Sequence, residues 1–363
     1  MKILIAGGGT GGHLMPALAI ADAMCALSPH AEPVLVGAER GVEARILPER
    51  GRYPFHLLPA EPIYRHAWWK NAKWLFLLWR LIRECQRIID IERPVFAVGT
   101  GGYAAGPMLW VCSRRGIPFG LQEQNALPGI TTRWLARRAS QIHLGFPEAR
   151  RHLKPGRDTE IFELGNPITP PDSVVEREAA RRALGIGEET AVCFVMGGSQ
   201  GARSVNRAVS AALDAGSLDG VTLLWSTGPA MWDEYRRYDA PPRRIVKPFW
   251  DPVAQAYGAT DLVVARAGAM TIAELSAWGL PAILIPLPLA AADHQSRNAE
   301  AMERAGSVVH LPESRLGPAE LASLVNELVG DPERLRTMSQ IAIQRSRPRA
   351  AQQIAERLLT LAD

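Results

Sequence analysis

The chain of 363 residues has little cysteine: Cys25, Cys85, Cys112 and Cys193 stand far apart and form no C-x-x-C pair, which excludes a metal or redox motif of that spacing. Their mostly apolar neighbours read as buried free thiols in a reducing, cytoplasmic compartment. Long apolar runs are missing as well. Stretches such as 74–79 fall far below the ~18–20 residues of a membrane-spanning helix. The first strand starts at Lys2 with no charged leader, h-region or small-residue cleavage site ahead of it, so no signal peptide is expected. Net charge is small: 41 basic against 37 acidic residues leave +4, with no concentrated basic patch, and no nucleic-acid partner is expected. Pairs such as Arg137 with Arg138 and Arg181 with Arg182 fall in helical patterns and read as solvated faces.

What remains is an ordinary globular composition, 47% hydrophobic and 21% charged, at a length that suits two domains. Short apolar strands at 3–6, 34–36, 95–99 and 119–121 alternate with helical patterns. The rhythm restarts at 191–196 and continues at 221–225, 245–247, 262–265 and 282–285. That is the sequence form of βαβ units, so the fold class is α/β with two doubly wound parallel sheets. Between them "LGNPITPPDS" (164–173) carries three prolines that no helix or central strand accommodates, and reads as the linker. The expected domains are 1–164 and 165–344. The last helix, about 350–359 in the segment 345–363, has a sequence that leaves its docking on the first domain open. Ligands of such sheets sit beyond the carboxyl ends of the strands, so chemistry is expected in a cleft between two of them.

Three glycine-rich turns carry the candidate chemistry. "GGGTGGH" contains Gly7-x-Gly9-x-x-Gly12 between a strand and a helix, which is the form of a dinucleotide fingerprint and equally of a tight turn. Its amides at a helix start suit phosphate oxygens. The dinucleotide reading needs an acidic residue at the end of the second strand, and Glu39 matches that position poorly. A second loop, "GGSQGARSVN", opens the second half in the same way, which favours two phosphorylated substrates, or one held across the cleft. The third, "RAGAMTIAELSAWG", ends a strand at Ala265, turns over 266–269 and starts a helix near Met270. There Glu274 can accept two ribose hydroxyls or lie on a solvated face. "AADHQSRNA" sets Asp293, His294, Gln295 and Asn298 around another helix start, where capping alone accounts for Asp293.

In this order, "GGGTGGHLMPALAIA", "GTGGYAAGP", "QEQNALPGITTRWLA", "ELGNP", "GGSQGARSVN", "RAGAMTIAE" and "DHQSRNA" resemble the MurG family of peptidoglycan N-acetylglucosaminyltransferases. The resemblance runs from residue 7 to about 299, and the C-terminal helices fit it too. It implies a GT-B fold, two Rossmann-like domains facing a central cleft. The implied reaction is inverting transfer of GlcNAc from UDP-GlcNAc to the C4 hydroxyl of MurNAc in undecaprenyl-pyrophosphoryl-MurNAc-pentapeptide (lipid I), forming lipid II. Carried onto this sequence, Ser199 and Ala269, Met270 and Thr271 meet the donor diphosphate, with Ile272 and Ala273 lining the same helix start. Glu274 takes the ribose, Gln295 the sugar hydroxyls, and main-chain groups at Trp250 the uracil. Thr10, Gly11, Gly12 and Asn125 reach the GlcNAc side, while Gly9, Gly101, Gly102 and Tyr103 face the acceptor diphosphate. His13 is the candidate base and Glu123 the alternative.

Four positions depart from the family pattern: Gln122 stands where His is common, Thr132 for Asn, Thr169 for Arg, and Trp250 for Ile. Gln122 argues against an acid–base role there, and Thr169 removes a linker arginine. No two aspartates stand two residues apart, so the D-x-D pair of metal-dependent sugar transferases is missing, and neither a metal nor another cofactor is expected. The helix start near Ala269, with Arg266, is expected to stabilise the UDP leaving group. The segment 67–90 carries Trp68, Trp69, Trp74 and Trp79 with Lys70, Lys73, Arg80, Arg83 and Arg87. It suits contact with anionic lipid of the inner membrane from the cytoplasmic side, against the plainer reading of a helix packed into the core. Wall-synthesis and division proteins are the candidate protein partners. A different glycolipid synthase, a UDP-GlcNAc epimerase, or a non-catalytic scaffold remains the alternative.

Overall fold

The structure is a computed structural model that describes residues 1–60, 74–169, 175–288 and 293–362. Trp68, Trp69, Lys70 and Lys73 lie outside the described residues. The chain divides into two compact units, Met1–Thr169 with Arg347–Asp363, and Pro170–Ser346.

In the first unit β1 (Lys2–Gly7), β2 (Glu32–Ala38), β3 (Phe55–Leu58), β4 (Phe96–Gly101), β5 (Phe119–Glu123), β6 (Gln141–Leu144) and β7 (Glu160–Phe162) form one sheet in the order β3-β2-β1-β4-β5-β6-β7. Every pairing is parallel; Leu4, for example, lies beside Val34 and Ala97. In the second unit β8 (Val192–Met196), β9 (Thr222–Ser226), β10 (Arg244–Lys247), β11 (Leu262–Ala265), β12 (Ala282–Leu284) and β13 (Val308–His310) run parallel in the order β10-β9-β8-β11-β12-β13. Helices cover both faces of such sheets, so central strands are apolar throughout rather than alternating. Ile3, Leu4 and Ile5 are accordingly all fully buried. Strand order reverses between β1 and β4, and again between β8 and β11. These are the switch points at which doubly wound sheets open to ligands.

The strands β3, β6, β7 and β13 have no clear trace in the hydrophobic pattern. They are three or four residues long and carry His56, Gln141, His143, Glu160 and His310, too short and polar for a period to register. The helix Ala350–Leu359 repeats apolar residues at i, i+4 and i+8, and Ala350, Ile354 and Leu358 pack with Leu14, Leu18 and Ala21 of the helix Gly11–Leu27. Burying Ile354 and Leu358 stabilises the first unit by roughly 1.5–3 kcal/mol each. Gly120 leaves the room: a Cβ there would stand 2.2 Å from Leu358.

One detail corrects the charge reading. Arg181 is buried rather than solvated, and donates to the Asp261 carboxylate and to the carbonyl oxygens of Ala259, Gly187 and Glu188. In the helix Trp74–Glu92, Leu81, Cys85, Ile88 and Ile89 face the core, while Trp79 is 56% exposed with the Arg83 guanidinium 5.1 Å from its ring centre. Its inner face thus packs into the core, as the plainer reading expects. Three of the four thiols are buried, and loss of solvation pushes those of Cys112 and Cys193 up to about 12, so they behave as apolar packing groups.

Candidate active site

The glycine loops of the first unit meet at its switch point. β1 leads through residues 8–10 into the helix Gly11–Leu27, and β4 runs directly into the helix Gly102–Arg114. The two loops touch main chain to main chain. Gly102 has φ +82, and a Cβ on it would stand 1.9 Å from the Gly8 carbonyl oxygen; one on Gly9 would meet the Tyr103 ring at 2.6 Å. Only glycine permits this approach. It brings Gly9, Thr10, His13, Gly101, Gly102 and Tyr103 together.

His13 sits in the first turn of its helix with its ring against Gly101. Its Nδ1 lies 3.0 Å from the Thr100 carbonyl oxygen and 3.0 Å from Gln124 Oε1. The orientation of the Gln124 amide follows from its other contacts, because its nitrogen faces the carbonyl oxygens of Thr100 (2.7 Å) and Gln122 (3.1 Å), which only accept. Its oxygen therefore faces His13, and Nδ1 must carry the hydrogen. The neutral ring keeps its lone pair on Nε2, the form a general base requires. Gln122 donates to Asn166 Oδ1 (3.1 Å), and Asn166 donates to the Gln124 carbonyl oxygen (3.0 Å). Asn166 of "ELGNP" thereby stitches the end of β5.

Glu123 is spent differently. Its buried carboxylate accepts from the Asn125 amide (3.0 Å), the Asn125 side chain (3.3 Å), the Gly129 amide (3.0 Å) and Thr132 Oγ1 (2.6 Å). With four donors it works as a clasp on the loop carrying Asn125, and Thr132 supplies one of them. Sequence reasoning missed Glu43, which is fully buried and accepts from the amides of Gly9 (2.8 and 2.9 Å) and Ala38 (2.7 Å). The Gly9 amide is thus taken, whereas the first-turn amides of Gly11 and Gly12 have no partner inside the helix.

In the second unit, β8 leads through the loop 197–201, with Ser199 exposed, into the helix Arg203–Asp214, and β11 leads through residues 266–268 into the helix Ala269–Ala277. Gly268 precedes that helix with no side-chain cap, so its first-turn amides and positive dipole end suit an anion. Ala269, Met270, Thr271 and Ile272 occupy that first turn and Ala273 opens the second. Glu274 follows, half-buried, with the Tyr257 hydroxyl 3.4 Å from Oε2. Loss of solvation raises its carboxyl to about 7, against the opposing pull of that hydroxyl, and raises the Tyr257 phenol well above its usual range. Phe194 links Tyr257 (6.0 Å) to Trp250 (5.9 Å), so Glu274 and Trp250 belong to one aromatic wall. The Trp250 ring is buried under Lys247 Nζ at 4.0 Å, and its indole N–H has no hydrogen-bond partner among the described residues. Gln295 Oε1 accepts from the Leu287 amide (3.0 Å).

Two expectations fail here. Arg266 is not a cation held for the leaving group: it donates to the carbonyl oxygens of Ile285 and Pro286, to Ser204 Oγ and to the Glu313 carboxylate, which locks the turn after β11. Asp293 does not cap a backbone amide. It has φ +56 and accepts from Ser296 Oγ at 2.6 Å. Asn298, fully buried, donates to the Ala267 carbonyl oxygen (3.3 Å) and supports the same turn.

The fold and these loops have known counterparts. Residues 3–144 match the glycosyltransferase family 28 N-terminal domain and residues 192–354 the C-terminal domain of that family. A UDP-N-acetylglucosamine--N-acetylmuramyl-(pentapeptide) pyrophosphoryl-undecaprenol N-acetylglucosamine transferase of Salinibacter ruber is 42% identical, covering 99% of this chain and 97% of the relative. The protein of that name from Desulforudis audaxviator is 39% identical over 100% and 99%. Acinetobacter baumannii MurG, a crystal structure, shares the fold with a TM-score of 0.79 at 24% identity, over 99% of both chains. Two parallel, doubly wound Rossmann-like sheets matching such a structure make this a GT-B fold. With both family 28 domains in order and near-complete coverage at these identities, the chain belongs to the MurG family of N-acetylglucosamine transferases.

Proposed function

We propose that this protein transfers GlcNAc from UDP-GlcNAc to the C4 hydroxyl of MurNAc in lipid I, with inversion, and releases lipid II and UDP. The observation that carries the reading is His13, whose Nδ1 is held by Thr100 and Gln124 beside the paired glycine loops so that the neutral ring's lone pair lies on Nε2, in a chain related along its whole length to transferases of that name. His13 Nε2 takes the hydroxyl proton as the oxygen bonds to C1 of GlcNAc, and the bond from C1 to the β-phosphate oxygen breaks. At C1 one bond forms and one breaks, the hydroxyl proton passes from oxygen to His13 Nε2, and UDP leaves with the electron pair of the broken bond.

Glu274 accepts the ribose hydroxyls, the helix start at Ala269, Met270 and Thr271 with Ser199 meets the diphosphate, and Ile272 and Ala273 line it. Gln295 reads the sugar and the main chain at Trp250 the uracil. The dipole end of that helix takes the leaving-group charge, in place of a metal. On the first unit, Thr10, Gly11, Gly12 and Asn125 serve the GlcNAc, and Gly101, Gly102 and Tyr103 the acceptor diphosphate; Gly9, whose amide Glu43 occupies, shapes the loop without offering that N–H. Glu123, saturated by four donors, supports Asn125 rather than acting as base.

The acceptor is a lipid, and among the described residues no helix is long and apolar enough to cross a membrane. We infer peripheral contact with the anionic cytoplasmic face of the inner membrane through exposed Trp79 and the Arg83 guanidinium over its ring, with Arg80 on the same helix and Arg87 paired with Glu84. The test of the whole reading is turnover of UDP-GlcNAc with lipid I by wild type and His13→Ala. General-base loss lowers kcat by ~10²- to 10⁴-fold, and a fully active variant removes His13 from the reaction.

A further inference from the structure

We propose that Glu43 is a positioning residue: a resident carboxylate that occupies the inner amide of the first glycine loop and so fixes where His13 and the amides of Gly11 and Gly12 stand. The proposal deepens the transfer reading and takes its activity arm from it. Glu43 opens the short helix Glu43–Arg50 after β2, yet it is wholly enclosed. Glycines from three segments make the enclosure: a Cβ on Gly8, Gly37 or Gly41 would stand 2.0, 2.3 or 2.2 Å from the Glu43 side chain. Inside, the carboxylate binds the Gly9 amide through both oxygens and the Ala38 amide through one. Hydrogen bonds to an ionised acceptor are roughly twice as strong as neutral ones.

The clamp works against a second surface. On its far side the same loop rests on β4's continuation, where Gly102 approaches the Gly8 carbonyl oxygen and the Tyr103 ring covers Gly9. The next residue back, Gly101, lies under the His13 imidazole: a Cβ there would stand 2.8 Å from Nδ1. Glu43, the loop, Gly102 with Tyr103, and Gly101 with His13 therefore form one continuous stack. In a dinucleotide-binding unit the acidic residue beyond the second strand takes the ribose and the loop amides take the pyrophosphate. Here an acidic residue beyond β2 turns inward and fills a loop amide itself. A ligand phosphate is thereby kept off the Gly9 amide.

The test uses the full chain and two variants, Glu43→Ala and the near-isosteric Glu43→Gln, whose amide cannot accept from both backbone donors without turning its own N–H groups toward one of them. The first readout is hydrogen exchange at the Gly9 amide, which does not depend on catalysis. Exchange is expected to quicken at least about tenfold in Glu43→Ala, and unchanged exchange overturns the clamp. The second is kinetics: kcat/KM for the lipid acceptor falls roughly 10- to 100-fold, while UDP affinity, carried by the second unit, stays within about twofold. Formate, filling the vacated hollow, restores part of the lost rate in Glu43→Ala and leaves wild type unaffected. Wild-type acceptor kinetics in a folded variant overturn the proposal, as does a parallel loss of UDP affinity, which marks general damage to the fold. Quickened Gly9 exchange in a variant of a wild type that transfers no sugar supports the clamp and refutes the transfer reading alone.

Discussion

Replacing Glu274 with glutamine is expected to stabilise the ligand-free protein at alkaline pH while crippling donor binding. Burial disfavours the charged form and lifts the carboxyl to about 7 in the folded chain, against 4.5 for a glutamate in water. Between those values the folded state binds more protons than the unfolded state, so stability falls as pH rises. The penalty is absent below about pH 4.5 and complete above about pH 7. At ~1.4 kcal/mol per pKa unit the ceiling is about 3 kcal/mol; because Glu274 is only half-buried, about 1–3 kcal/mol is the working range. For a unit of this size that corresponds to roughly 2–10 °C in Tm. Glutamine keeps the shape and removes the charge. Urea or thermal unfolding at pH 8 should show the variant more stable than wild type, with the difference vanishing near pH 4.5. The same variant loses the charged acceptor for the ribose hydroxyls, and UDP-GlcNAc affinity should fall roughly 10- to 100-fold. A stability difference of the same size at pH 5 and pH 8, or a variant less stable at pH 8, would refute the reasoning.

Three other perturbations follow from the geometry. Nitrogen-resolved NMR of His13 in its neutral form should show the hydrogen on Nδ1; a ring protonated on Nε2 contradicts the Thr100–Gln124 assignment. Gly102→Ala forces a Cβ to within 1.9 Å of the Gly8 carbonyl oxygen at φ +82, and should cost ~1–3 kcal/mol or more of stability; denaturant melts with stability as in wild type would show that the loops are not in contact. Trp79→Ala with Arg83→Glu should weaken sedimentation with anionic vesicles several-fold and leave neutral vesicles nearly unaffected. Equal binding to both would remove this helix face from the membrane contact.

The architecture was legible because its signals are long and periodic. Apolar strands such as 3–6 alternate with amphipathic helices, glycine turns follow the first strand of each half, and prolines fill 164–173. What was not legible depends on contacts between distant segments. Glu43 lies in "AERGVEARILPER", a stretch whose charges read as solvent-facing, and only folding wraps Gly8, Gly37 and Gly41 around it. Arg181 looks like any helix-surface arginine until Asp261, eighty residues on, accepts from it. Arg266 and Asp293 stand beside helix starts, but Glu313, Ser204 and Ser296 claim their polar atoms first. In the site itself, glycines at the switch points and Glu274 in a second turn follow from local pattern. The tautomer of His13 does not, because it is set by a backbone carbonyl of β4 and a glutamine that follows β5.

The central claim is sugar transfer to a lipid-linked MurNAc, and product analysis tests it most directly. Purified protein incubated with UDP-GlcNAc and lipid I in EDTA should yield a lipid-linked disaccharide with a new β-1,4 bond, with UDP released in equal amount. No disaccharide, with or without added divalent metal, or an α-linked product, would contradict the account.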